Sequence, residues 1–139
     1  MVDVVTSHME SPKSIAVYPA AALIFWTDLG RIERSGLDGD NRRVIVEDHV
    51  KQPHGICIDA VQRRIYWVDV GLQSLSSCDL EGGSLRSLTS QSDPLQSASL
   101  SVLEDWLYSA QLVGTNVSIR RYNKMEADQD TLITTQMVR

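Results

Sequence analysis

With 139 residues, 42% of them hydrophobic and 22% charged, the chain is long enough for one ordinary domain and too apolar for a disordered tail. A formal net charge of −5 and a pI near 5.0 speak against a protein that grips a phosphate backbone. No apolar run reaches the roughly 20 residues of a membrane span, and the start, Met1-Val2-Asp3-Val4-Val5-Thr6, lacks the basic and long apolar regions of a secretory leader. Either such a leader lies on sequence outside this chain, or the protein stays inside the cell.

In chain order, Val2 to Thr6 has the look of an outer strand. Four short runs of β-branched, aromatic or alternating residues follow, at about 14–18, 23–28, 31–37 and 41–46, separated by Gly, Pro, Asp and Asn turns. Asp38-Gly39 followed by Asp40-Asn41 is a tight-turn sequence between antiparallel strands. Arg42 and Arg43 beside it read as solvated surface rather than as an anion site. The pattern then starts again. Ile24-Phe25-Trp26-Thr27-Asp28 returns 41 residues on as Ile65-Tyr66-Trp67-Val68-Asp69, and Pro12, Pro53 and Pro94 keep the same interval. Leu37-Asp38-Gly39 returns 43 residues on as Leu80-Glu81-Gly82, so the second copy carries two extra residues just before or within its third strand.

A third copy is degenerate. Leu100-Ser101-Val102 supplies its first strand and Asp105-Trp106-Leu107-Tyr108 leads into the motif, where Ser109, Ala110 and Gln111 replace Trp-Thr-Asp. Ile119-Arg120-Arg121 answers Ile32-Glu33-Arg34, and Thr131-Leu132-Ile133-Thr134 is the expected last strand. No segment sustains a helical period. Four strands per repeat of about 40 residues is the pattern of a propeller blade. The sequence therefore predicts an all-β chain with blades at about 12–52, 53–93 and 94–139, and residues 1–7 as the outer strand of a preceding blade.

The run Ile24 to Asp28, then Gly30-Arg31-Ile32-Glu33-Arg34 and Leu37-Asp38-Gly39-Asp40-Asn41-Arg42-Arg43, resembles the Tyr-Trp-Thr-Asp (YWTD) repeat, also called the class B repeat of low-density lipoprotein receptors. Pro53-His54-Gly55-Ile56-Cys57-Ile58-Asp59 is similar to that family's inner-strand motif. The resemblance covers nearly all the chain and implies a YWTD β-propeller, of whose six blades about three are present. It implies an extracellular or cell-surface protein-binding module, of the kind found in endocytic lipoprotein-receptor relatives, Wnt co-receptors and nidogen. The partner would be a protein ligand on a propeller face, with membrane attachment only through other parts of a larger receptor. No cofactor, metal or nucleic acid is expected. The chain departs from the family in the number of repeats, in its third motif and in lacking the cysteines of an EGF-like module.

The motif residues Phe25, Trp26, Thr27, Asp28, Tyr66, Trp67 and Asp69 are expected to be structural. Strand alternation sends Phe25 or Tyr66 to one face and Trp26 or Trp67 to the other, and Asp28 and Asp69 end the strand where a carboxylate can accept loop N–H groups. In the resembling family this aspartate helps tie blade to blade. The loop-bearing side is the candidate ligand face, through Glu47, Asp48, His49, His54 and Asp93. Together with Asp28 and Asp69 these make it slightly acidic and suited to a ligand carrying Lys or Arg. Histidine titrates between pH 5 and 8, and in receptors of this type its protonation in endosomes helps release ligand. His8, His49 and His54 have the spacing of solvated loop residues, not of a metal site.

Asn116-Val117-Ser118 is a glycosylation sequon, making Asn116 a candidate acceptor. Cys57 and Cys78 read as small core-filling thiols, with a mutual disulfide left open by their spacing. Two other readings stand beside the receptor module: a nidogen-like matrix protein, and a calcium-dependent six-bladed hydrolase. The hydrolase needs oxygen ligands at the inner-strand starts, where Lys13-Ser14, His54-Gly55 and Ser97-Ala98 are poor donors. Three blades leave apolar faces open at both ends, so missing blades or self-association are expected to cover them.

Overall fold

A computed structural model describes residues 1–90, 95–124 and 129–136 of the chain; for 89, 90 and 129–136 it describes the backbone alone. Three four-stranded antiparallel sheets follow one another. The first holds β1 (Ser14–Tyr18), β2 (Leu23–Asp28), β3 (Arg31–Gly36) and β4 (Arg43–Val46). The second holds β5 (Pro53–Asp59), β6 (Arg64–Asp69), β7 (Ser74–Asp79) and β8 (Arg86–Ser90). The third holds β9 (Leu95–Leu103), β10 (Trp106–Val113), β11 (Asn116–Asn123) and β12 (Gln129–Gln136). Each sheet is a meander in sequence order, which short turns between antiparallel strands permit. A 3-10 turn, Pro19–Ala21, joins β1 to β2.

The strands form where β-branched and aromatic side chains can be buried on both faces. β6, Arg64 to Asp69, is buried at every position, as a strand sandwiched between two sheets must be. Alternation then divides its side chains. Ile65 and Trp67 enter the core shared with the first sheet, alongside Phe25, Ile32, Ile56 and Cys78. Tyr66 and Val68 enter the core shared with the third sheet, alongside Cys57, Leu75, Leu107 and Tyr122. Sheets stacked face to face in sequence order are propeller blades.

Register explains what the repeat intervals left open. The turn from β2 to β3 is Leu29-Gly30, whereas that from β6 to β7 runs from Val70 to Gln73. The two extra residues of the second copy therefore lie in this turn, ahead of the third strand. In the third copy the first strand is longer than Leu100-Ser101-Val102, and Gln111 pairs with Ala98.

The N-terminal segment departs from expectation: residues 1–7 form no strand. They nevertheless occupy an outer-strand lane. Gly39 leaves no room for a Cβ because the Val4 carbonyl lies against it, and Gly82 leaves none because the Ile45 carbonyl of β4 lies there. Val4 thus sits on the first blade as Ile45 sits on the second. It carries no ladder because strand pairing needs a neighbouring strand, which the described residues do not supply beyond Val4.

The two blade junctions differ in chemistry. Tyr18 at the end of β1 and Leu80 after β7 are both buried in the first junction core. The matching places at the second junction hold Asp59 and Lys124, a buried ion pair. Burial would raise the Asp59 carboxyl, but the Lys124 ammonium and the Val61 and Gln62 amides hold it below its ordinary value.

A glycine comparison tests this packing. Gly82→Ala is expected to cost about 2 kcal/mol or more, since it meets both a left-handed backbone (φ +89°) and a backbone carbonyl. Gly30→Ala has the strained φ of +76° but open space, and should cost about 1 kcal/mol. Urea unfolding of the two variants and the parent measures the difference.

Candidate functional site

The loops joining β2 to β3 and β6 to β7 open on the same side as the loops between blades, because strands alternate direction within each sheet. Two backbone bonds stitch them: Gly30 N–H donates to Lys51 O at 3.0 Å and Val70 N–H to Gln52 O at 2.9 Å. Each of these turns also follows a motif aspartate that gathers N–H groups from its own turn and from the loop ahead of its blade. Asp69 accepts N–H bonds from Lys51 (2.8 Å), Gln52 (3.0 Å), Gly71 (2.9 Å) and Leu72 (3.0 Å). Asp28 accepts from Glu10 (3.0 Å), Ser11 (2.6 Å) and Leu29 (2.8 Å), and from the Arg31 guanidinium at 2.7 Å. Both carboxylates are fully buried. Burial would raise the Asp28 carboxyl, but these amides and Arg31 hold it below the ordinary range.

The other motif residues divide as alternation requires. Phe25 and Thr27 face the second blade, where the Thr27 hydroxyl donates to His54 O at 2.8 Å. Trp26 faces away, beneath the Arg42 guanidinium at 5.5 Å from the ring centroid. Arg42 is not a free surface charge. It donates to Glu33 and to the carbonyls of Ser7 and His8, while Arg43 pairs with Glu81. Burial would raise the Glu33 carboxyl, but Arg42 and Arg31 hold it low. In the third blade the aspartate's place is taken by Gln111, whose Nε2 donates to Ser109 Oγ (3.1 Å) and Tyr122 OH (2.5 Å). A site that collects N–H donors has become one that donates.

The candidate ligand residues do not gather in one place. Glu47, Asp48 and His49 are exposed at the outer end of the loop between blades, beside Ile45, Gly82 and Leu85. His54 lies at the inner end of the same segment, in a cleft of about 320 Å³. Lys13, Leu29, Pro53, Val70 and Gln96 also line it. Asp93 lies outside the described residues. Asp28 and Asp69 are buried and committed to backbone amides, so neither is open to a ligand on the face, and a lysine, Lys13, lines the cleft. Burial and the Lys13 charge depress the His54 pKa, while Asp69 raises it; the net direction is down.

Lys13 was not singled out as a binding residue, though the repeat carries the signal: it follows Pro12 as His54 follows Pro53. Asn116 is exposed at the start of β11. Cys57 and Cys78 are free and buried on opposite faces of one sheet, which answers the disulfide question left open by spacing; burial pushes both thiols up to about 12. Among the described residues no group of three or more His, Cys, Asp or Glu comes together as a metal site, and no helix is long and apolar enough to cross a membrane.

Asp69→Ala strands four backbone N–H groups, and is expected to cost at least about 3 kcal/mol in thermal or urea unfolding. Glu47→Ala at the exposed rim should stay within about 0.5 kcal/mol.

Comparison with known proteins agrees with this architecture. Residues 63–99 match the family model described as low-density lipoprotein receptor repeat class B. The comparison with curated proteins returned no match. Among solved structures, a chain of the nidogen/laminin complex superposes with a TM-score of 0.81 at 24% identity, over 93% of this chain and 51% of that one. This chain therefore spans about half the length of that relative. The class B repeat match over residues 63–99, the sheet order and the superposition agree that the chain folds as consecutive blades of a β-propeller.

Proposed function

We propose that the chain is a protein-binding module of an extracellular, lipoprotein-receptor-related protein, taking its ligand on the loop-bearing face rather than acting as an enzyme. The observation that carries this reading is the His54 cleft, where corresponding inner-strand starts from three blades meet beside apolar side chains. Rigid sheets holding variable loops are a common foundation for such binding. Leu29, Pro53 and Val70 suit an apolar side chain, and Lys13 suits a neighbouring carboxylate. From the cleft the face runs outward along residues 47–52 to Glu47, Asp48 and His49, where a ligand's Lys or Arg would find the acidic charge. The Asn116 sequon accords with secretion, and the free buried thiols make no demand on redox compartment.

The same relative supports the matrix alternative equally in fold, since it is a chain of a nidogen/laminin complex. What favours the endocytic reading here is His54. Its pKa is depressed, so it is neutral at pH 7.4. Below the ordinary imidazole value the unfolded chain binds the proton more readily than the folded one, and stability falls as pH falls. Once charged, it stands beside Lys13 and resists being covered by the ligand's apolar side chain, so binding weakens as pH falls.

The test is a displayed peptide library panned on the chain at pH 7.4. Selected peptides should bind the parent at least about tenfold more weakly at pH 5.5, a change of about 1.4 kcal/mol. His54→Gln should remove that difference, and Lys13→Glu should abolish binding without altering the fold. A library that yields no binder, or binders indifferent to Lys13 and to Glu47→Lys with Asp48→Lys, would count against a ligand site on this face.

A further inference from the structure

Asn116 stands where the third blade departs from the first two. In those blades the second and third strands end on the pairs Asp28–Arg31 and Asp69–Ser74. The pair at the same level in the third blade is Gln111–Ser118, since Ala110 pairs with Ile119 as Thr27 pairs with Ile32 and Val68 with Leu75. The third hairpin does not stop there. Leu112–Val117 and Val113–Asn116 add two further pairs, closed by the turn Gly114-Thr115 with Gly114 at φ +62°. At the rise of an extended strand, two residues carry this hairpin about 7 Å beyond that level.

Alternation fixes the side on which Asn116 lies. Paired residues of antiparallel strands share a face, and so do residues two apart along a strand. Asn116 therefore falls in one row with Ser118 and Tyr122, opposite Val113, Gln111 and Leu107. Tyr122 and Leu107 are buried in the core shared with the second blade, and Val113 packs on it. The row thus faces the second blade and not the open side of the sheet. Ser118 is buried in that row, while Asn116, further out, is exposed. The same pairs lead to the His54 cleft. Val113 has Asn116 on one side and Leu95 on the other. Two strand spacings, about 10 Å, therefore separate the backbones of Asn116 and Leu95, and the next residue, Gln96, lines the cleft.

We infer that Asn116 is a glycosylation site whose sugar stands at the rim of the ligand cleft, admitting an extended peptide and holding a folded domain away. The inference rests on the extracellular, ligand-binding reading above. Val117 and Ser118 complete the sequon, which is the one Asn-x-Ser/Thr triplet in the sequence. In the transfer the Asn116 side-chain nitrogen bonds to the anomeric carbon of a sugar carried on a lipid-linked diphosphate. The bond from that carbon to the diphosphate breaks, the diphosphate leaves with its lipid, and the amide nitrogen gives up a proton. A bulky polar chain rooted about 7 Å further out than the motif pairs, and about 10 Å to the side of Leu95, overhangs the cleft from the third blade. Lys13 and Leu29, on the first-blade side of the cleft, stay within reach of a narrow ligand.

The whole chain, expressed behind a secretory leader in a eukaryotic cell, tests both parts. An amidase that cleaves N-linked glycans should lower its mass, and Asn116→Gln, a change at an exposed position, should leave nothing to cleave. Lys13, exposed on the cleft wall, is then labelled with an amine-reactive ester, either free or carried on a large polymer, and read by peptide mass mapping. The free ester should label Lys13 alike in every form. The polymer-borne ester should label the glycosylated chain about fivefold more slowly than Asn116→Gln or the amidase-treated chain. A chain without sugar at Asn116, or polymer labelling equal in all three forms, would overturn the inference. Neither readout uses a ligand. A peptide library that yields no binder leaves the mass shift and the labelling difference in place, and an unmodified Asn116 leaves any selected peptide bound, so the two failures are told apart.

Discussion

A carboxylate at the end of a strand, buried and surrounded by backbone N–H groups, is the interaction from which the arrangement follows. A loop crossing between two sheets has amides with no ladder to join, and leaving them bare in a buried place costs roughly 1–3 kcal/mol each. Asp69 accepts from two amides of the loop that precedes its blade and two of the turn within it. One side chain thereby fixes where one blade ends and how the next begins. Asp28 does the same with Glu10, Ser11 and Leu29. The conspicuous motif residues are thus spent on architecture, and ligand chemistry must be sought on the face that this architecture holds steady.

That division explains what sequence reasoning reached and what it missed. Ile24 to Asp28 and Ile65 to Asp69 announce their strand by composition, and their alternation assigns Phe25 and Trp26 to opposite faces correctly. The position of the two extra residues was narrowed but not settled, since sequence intervals do not say whether a turn or a strand absorbs an insertion. Residues 2–6 look like a strand locally, yet a strand exists only with a partner. Charge was the least legible feature. Asp28 and Asp69 are legible as acceptors of loop N–H groups but not as charges withdrawn from the face, and Arg42 and Arg43 look solvated until Glu33, Glu81 and the Ser7 and His8 carbonyls are placed.

The third repeat shows how a motif can decay while the blade persists. Ser109, Ala110 and Gln111 keep the strand and its register, and Leu107 and Tyr122 keep the shared core. What goes is the acceptor. Gln111 turns its amide inward to Ser109 and Tyr122, and the junction to the second blade is secured elsewhere, by Lys124 reaching Asp59 and lying 6.0 Å from the Tyr66 ring centroid. Trp106 is likewise retained by a different contact, stacked under Arg121 at 4.2 Å. Function of a blade as packing unit survives loss of its signature because hydrophobic burial is shared over many side chains.

The contrast between an apolar corner at one junction and an ionic corner at the other also labels the blades. Repeats this alike could in principle stack in the wrong order while the chain folds, one blade taking its neighbour's seat. Seating the second blade's Asp59 against an apolar corner, or Lys124 against Tyr18, would bury a charge without a partner, at a cost of several kcal/mol. The ion pair need add little to the stability of the finished structure to matter: it makes the misordered stacks costly, and so encodes sequence order in space.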